Sequence, residues 1–259
     1  MTTVNAKKTA RSQHSTPPSQ QWMAVRFPHF ALESLGVKRE HHNILVTHKQ
    51  RVCGATADLQ KEGVHYGMPI ATAQLLYNAE NDEADNVTPL RTYEREIESE
   101  KQTLEALCHE LYNYTPHIEP YSIINSEGIE EVGVLLELSR CLALFKGLEN
   151  LVQHIQQVFE HADISTYSAF GHTKQSAWLL TFSDSNLKSK NISISAENTL
   201  LHLSPLPLDI IYEHPKAVDA LKKSGFCSIG DIVKHIEGVS LHSLGKRYGE
   251  DFIEYLVET

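Results

Sequence analysis

Apolar residues fall first into short extended runs and later into long helical stripes. WMAVRF (22–27) is a mostly apolar run stopped by Pro28, which predicts a buried strand, and HFALESL (29–35) predicts a helical turn after it. NILVTH (43–48) predicts a second strand. From Ala55 to Leu76 the period is helical, broken at GVHYGMP, where Gly63 and Gly67 can close one helix and Pro69 can open the next. NAENDEADN (78–86) predicts an acidic loop, and Tyr93 to Leu111 an amphipathic helix with Ile97, Leu104, Leu107, Cys108 and Leu111 on one stripe. The stretch from Tyr114 to Ser139 reads as two extended arms around a connection bearing Glu127, Glu130 and Glu131. The helix over 148–160 is the clearest, because Leu148, Leu151, Val152, Ile155, Val158 and Phe159 keep the i, i+3, i+4, i+7 spacing. A strand at 164–170 and a helix at 173–182 follow, so that strand, helix and strand over 132–170 predict a crossover inside a mixed sheet.

Beyond a Ser- and Asn-rich bridge (183–199), LSPLPLDI marks a boundary, and 215–259 reads as short helices. Gly225 suits the left-handed position that ends one helix, and Ser228 with Asp231 has capping-box spacing for the next. A helix, a glycine turn and a helix either present backbone amides to phosphates or simply pack.

Composition narrows the classes. The chain has 259 residues, 41% hydrophobic and 22% charged, so it can bury a sizeable core. Residues 1–21, rich in Ser, Thr, Gln, Pro and Lys, predict a disordered tail. No apolar run approaches the roughly 18 residues of a membrane span, and the N-terminal residues, with Lys7, Lys8 and Arg11 but no apolar h-region, do not read as a secretory signal. Four scattered cysteines without a CxxC pair predict free thiols and no structural zinc, and the His41-His42 pair reads as a solvated loop. The net charge is −10, and setting aside Lys7, Lys8 and Arg11 of the tail leaves −13 on the rest. That balance argues against a strong autonomous nucleic-acid binder. From Pro205 onward, six Lys or Arg face nine Asp or Glu, which weakens a DNA role for the last helices.

The order of the pieces carries a resemblance. RVCGATADLQKEGVHYGMPIATAQLL is similar to the fingers segment of Y-family (translesion) DNA polymerases, and YEREIESEKQTLEALCHELYNYTPHIEPYSI to their long palm helix leading into the catalytic strand. TKQSAWLLT resembles a palm helix, and GFCSIGDIV with RYGEDF resembles the thumb. The resemblance implies an α/β fold: a mixed-sheet palm (22–50 and 88–200), small helical fingers (51–87) and a helical thumb (205–259). Active members hold two magnesium ions on carboxylates. Here the positions matching their first acidic pair are Val25 and Phe27, with Arg26 between, and SIIN places Ile124 and Asn125 at the second. If VLLELS (134–139) sets the register instead, Val132 and Gly133 fall there. The triphosphate-holding Tyr and Arg of the fingers are matched by Ala57 and Gln60, and of two palm lysines Lys174 remains while Trp178 replaces the other. The run VLLELSRCLALFKGLENL and the phrase FPHFALESL resemble the ImuB-type homologues, which keep the fold without the acids.

That resemblance implies no metal or other cofactor and no polymerase activity. It implies an adaptor in SOS-induced mutagenesis, cytoplasmic and nucleoid-associated, whose partners are an error-prone replicative-type polymerase, a RecA-like protein and the sliding clamp. Contact with DNA would be weak, with Lys174, Gly225, Gly230, Lys246 and Arg247 as candidate contacts. Members continue past the thumb into a little-finger domain, so the resemblance implies a form truncated after the thumb. Two other readings stay open: a divergent polymerase drawing its acids from Glu127, Glu130 and Glu131, and a folded remnant without a DNA role. QLLY (74–77) and QQVF (156–159) resemble clamp peptides but lie within helical patterns.

Overall fold

The computed structural model describes residues 20–38, 40–81, 89–183, 196–236 and 240–259. The expected N-terminal tail with Lys7, Lys8 and Arg11, and most of the acidic loop and polar bridge, lie outside these residues.

Four strands form the larger sheet: β1 (Trp22–Arg26), β5 (Ile118–Ile124), β6 (Glu130–Glu137) and β7 (Tyr167–Gly171), in the order β5-β6-β1-β7 with every neighbouring pair antiparallel. Since β6 and β7 both run antiparallel to β1, they run parallel to each other. The connection between them through α5 (Leu148–His161) is therefore the expected crossover, spanning β1. Alternation on β1 and β6 sorts side chains to two faces. Met23, Val25, Val134 and Leu136 pack against α4 (Ile97–Leu111) and the apolar stripe of α5. Trp22, Ala24 and Leu135 pack under Trp178 of α6 (Lys174–Leu180), whose first turn Thr173 caps through reciprocal bonds with Ser176. A side chain on Gly133 would collide with the Val25 carbonyl and the Trp178 ring, which requires glycine at that point of β6.

A smaller sheet, in the order β3-β2-β4, contains β2 (Ile44–His48), β3 (Arg51–Ala55) and β4 (Arg91–Glu94). Two sequence expectations are corrected here. Residues 51–55, which the resemblance places within the helical fingers, are a strand, because Lys49 and Gln50 both adopt positive φ and close a tight hairpin with β2. Tyr93 is likewise in a strand, paired parallel to β2, and the helix begins only at Ile97. Between these strands, α1 (Phe30–Glu33), α2 (Ala57–Lys61) and α3 (Ile70–Asn81) follow their strands or glycine turn closely. The strand expected from residue 164 begins only at Tyr167. Part of the expected polar bridge is helical, as α7 (Ala196–Leu203).

The C-terminal helices α8 (Pro215–Lys223), α9 (Ile229–Ile236), α10 (Leu241–Tyr248) and α11 (Glu250–Glu258) enclose their own core of Leu208, Val218, Leu221, Ile232, Leu244 and Phe252. Leu179 and Leu180 of α6 belong to this same core and join it to the sheet. Tyr121 of β5 makes a short hydrogen bond to Glu213, just before α8, and so ties the sheet edge to these helices.

Candidate functional site

Strand β1 delivers Arg26 and Phe27 to a cleft of about 540 Å³ between the two sheets. Arg26 lies opposite Gly133 and Tyr167, and the Phe27 amide donates to the Val132 carbonyl (2.9 Å). Of the two sequence registers, Val132 and Gly133 are thus the residues beside the end of β1. Val25 is paired with Val134 and fully buried, and the Phe27 ring stacks on Phe30 (centroids 5.2 Å apart). Ile124 lies further along the hairpin opposite Glu130, and its side chain is 65% exposed. Asn125 shapes the turn: its Oδ1 accepts from the amides of Glu127 and Ile129 (3.0 Å each), and its Nδ2 donates to Glu131 (3.2 Å). Of the four expected positions, Val25 is therefore core, Phe27 is buried but lines the cleft beside Arg26, Ile124 faces solvent, and Asn125 reaches Arg26 through Glu131.

Two arginines organise the cleft. The Arg26 guanidinium donates to Glu131 (3.1 Å) and to the Thr181 hydroxyl and carbonyl (3.3 Å each), and lies over the Phe182 and Tyr167 rings at 4.0 and 5.1 Å. Its side chain is 11% exposed, so charge and ring contacts act with little water between them. Arg95 is deeper. It forms a fork onto Glu100 (2.6 and 2.5 Å) and reaches Glu130 (2.8 Å). The hydrogen bonds to Glu100 dominate, outweigh the effect of burial, and push the Arg95 pKa up, so it stays charged. Burial pushes the nearby Cys53 thiol up to about 12.

The fingers-like side offers little that would grip a polyphosphate. Ala57 opens α2, and the Gln60 amide donates to the Ala55 carbonyl (3.1 Å) and the Tyr66 hydroxyl (3.3 Å). Tyr66 also meets His29 Nδ1 at 2.7 Å. Tyr66 and His29 were missed as cleft residues. The only sequence signal was a tyrosine inside the glycine turn GVHYGMP.

Carboxylates are present, yet their surroundings do not fit a divalent cation. Glu131 sits on Arg26, while Glu100 and Glu130 share Arg95. Among the described residues, no group of three or more His, Cys, Asp or Glu side chains could hold a metal ion. A bound Mg²⁺ would have to displace guanidinium groups from these oxygens.

The candidate DNA contacts are mostly engaged inside the chain. Lys174 Nζ forms a fork onto Glu119 (2.5 and 2.7 Å) and lies 4.8 Å from the Trp22 ring centroid. Gly225 has positive φ as expected, and its amide donates to Lys222; the Gly230 amide donates to Ser204. Asp231 accepts from the amides of Cys227 (3.0 Å) and Ser228 (2.9 Å), and the Ser228 hydroxyl accepts from the Asp231 amide, which completes the expected reciprocal cap. Arg247 donates to the Ser224 hydroxyl at the same turn, and Lys246 is exposed. Tyr77 of QLLY and Phe159 of QQVF are buried within α3 and α5.

The model of the IMS family (impB/mucB/samB) matches residues 24–181. No curated protein matches the chain. Among solved structures, one titled "Dbh Ternary Complex (substrates partially disordered)" superposes with a TM-score of 0.62 at 18% identity, over 92% of this chain and 65% of that one. This chain thus spans a little under two thirds of that structure's length, and at this identity the likeness concerns the fold. The matched segment carries both sheets and the cleft between them, and on that evidence the chain belongs to the impB/mucB/samB family, within the Y-family DNA polymerase superfamily.

Proposed function

We propose that this protein is a non-catalytic, ImuB-type member of its family that acts as an adaptor in translesion synthesis. In this reading the palm (22–50 and 88–200), fingers (51–87) and thumb (205–259) serve as a scaffold in the cytoplasm at the nucleoid. Its partners there are an error-prone replicative-type polymerase, a RecA-like protein and the sliding clamp. One observation carries the reading: a guanidinium, Arg26, occupies the end of β1 and is paired with Glu131. Nucleotidyl transfer by two metals requires carboxylates free to coordinate them there, and a fixed cation repels Mg²⁺.

A second reading has an observation of its own. Glu127, Glu130 and Glu131 all line the cleft, as a polymerase with displaced carboxylates requires. Primer extension on damaged and undamaged templates with Mg²⁺ or Mn²⁺ separates the two. The adaptor reading expects no incorporation. Incorporation abolished by Glu127→Ala, Glu130→Ala and Glu131→Ala together would establish the displaced-acid enzyme.

A further inference from the structure

Three consecutive residues just before α8 each touch a different part of the molecule. Tyr212 stands edge-on to Phe182 (centroids 5.9 Å apart), the ring whose centroid lies 4.0 Å from the Arg26 guanidinium. Glu213 accepts the hydrogen bond of Tyr121 on β5, and the Tyr121 ring in turn leans on Trp178 of α6 (4.5 Å). His214 meets Phe252 and Tyr255 of α11 edge-on, at 5.4 and 5.0 Å. Pro215 then opens α8 directly, and its fixed φ leaves no loose link between this segment and the helix.

Electrostatics tie the same segment down. Burial, with Glu213 adding to it, pushes the Tyr121 pKa up, so the hydroxyl stays a donor to the carboxylate. Burial and then Glu131 push the Tyr212 pKa up to about 12, with Arg26 acting the other way, so Tyr212 lies within the field of the cleft pair. The buried Tyr255 of α11 is pushed up as well, by burial first and Glu213 second.

We infer that Tyr212, Glu213 and His214 form a clasp that sets the angle of the C-terminal helices against the larger sheet and makes that angle depend on the Arg26–Glu131 pair. Two kinds of contact join these helices to the sheet. The apolar joint through Leu179 and Leu180 is non-directional and by itself tolerates rotation. The bond from Tyr121 to Glu213 is directional and selects one orientation. Phe182 connects this clasp to the cleft, since it lies under the Arg26 guanidinium and packs against Tyr212. A change at Arg26 thus reaches the helices through one ring, Phe182, and one step of chain, Tyr212 to Glu213. The clasp uses only contacts within this chain and holds for either reading of the cleft.

Hydrogen–deuterium exchange of the full chain, read peptide by peptide in a mass spectrometer, tests both halves of the proposal. Wild type is compared with Tyr121→Phe, Glu213→Gln, the double variant and Arg26→Met. Tyr121→Phe and Glu213→Gln should each speed exchange over α8–α11 by about tenfold, the worth of a hydrogen bond to a charged group, and leave β1 and α5 unchanged. The double variant should match either single one, because both remove the same bond. Arg26→Met should speed exchange in the same four helices. Wild-type rates in Tyr121→Phe and Glu213→Gln overturn the clasp, as do additive effects in the double variant. A rise spread equally over sheet and helices also overturns it, being simple loss of stability. Helices unmoved by Arg26→Met overturn the dependence on the cleft pair. Should Arg26→Met not fold, Arg26→Lys, which keeps the charge but loses the planar ring contact, decides on the same criterion. Primer extension has no part in this readout, so the clasp and the adaptor reading fail separately.

Discussion

The cleft and the thumb turn use the same device with different strength. At the cleft, Glu131 neutralises a guanidinium that is 11% exposed and sandwiched against rings. At the turn between α8 and α9, Asp231 covers the amides of Cys227 and Ser228 at a half-exposed surface position. In both places a carboxylate of the chain satisfies a set of N–H donors that would otherwise lack an acceptor. Burial separates them. Water screens the thumb cap and leaves it a local helix-starting contact, whereas the cleft pair is shielded and its loss exposes an uncompensated charge.

The largest expected effect follows from that shielding. Glu131→Ala leaves Arg26 unpaired and should lower stability by about 2 kcal/mol in urea denaturation, a value reduced from the fully buried case because both side chains retain some exposure. An unchanged midpoint would place the pair among ordinary surface contacts. Asp231→Asn should cost less, and its cost should depend on pH. The amides of Cys227 and Ser228 hold the Asp231 pKa below the usual carboxylate range. Its stabilisation is therefore complete above the ordinary Asp pKa and is lost as pH falls through the lowered folded value. Thermal melts of wild type and Asp231→Asn should converge in acid; a constant gap would contradict this account.

DNA binding probes both regions together. With −13 beyond the tail, an occupied thumb turn and Lys174 paired to Glu119, primer–template affinity should be weak and steeply salt-dependent. It should fall further when residues 1–21 are removed. Tight binding by the shortened chain at about 0.2 M salt contradicts the whole picture. The smallest effect is chemical, because each region carries a cysteine. Cys227 on the thumb turn is exposed, while Cys53 beside the cleft is buried with its thiol pushed up to about 12. Alkylation at neutral pH should label Cys227 first and Cys53 only on unfolding; mass spectrometry of timed samples reads the order.

Legibility in the sequence followed the range of the forces involved. Strands β1 and β6, helix α5, the Gly225 turn and the Ser228–Asp231 cap were readable because each is set by residues within a few positions of one another. Strand β3 was missed because its hairpin turn uses Lys49 and Gln50, non-glycine residues in left-handed conformation that no turn signature announces. Strand β4 is exposed along its length and owes its form to pairing with β2. In the cleft, the positions Val25, Phe27, Ile124 and Asn125 could be named from the sequence, but the pairing of Arg26 beside them could not. Arg26 and Glu131 lie 105 residues apart, and in the sequence Glu131 is one acid of the connection between two extended arms. Long-range pairing, invisible to local pattern, assigned it a counter-ion.

Strand β5 forms one border of the larger sheet and carries Pro120 at its middle. The bonds from the Asn125 amide to the Ile129 carbonyl and from the Glu137 amide to the His117 carbonyl show that odd-numbered residues of this strand bond inward to β6. Pro120, at an even position, is therefore turned to the outside of the sheet, where an added strand would look for a donor and find none. Together with the charged Glu119 beside it, this interrupts the border as a template. This border, the longest among the described residues, is thereby a poor template for self-association, and a protein that recognises this side must do so through side chains.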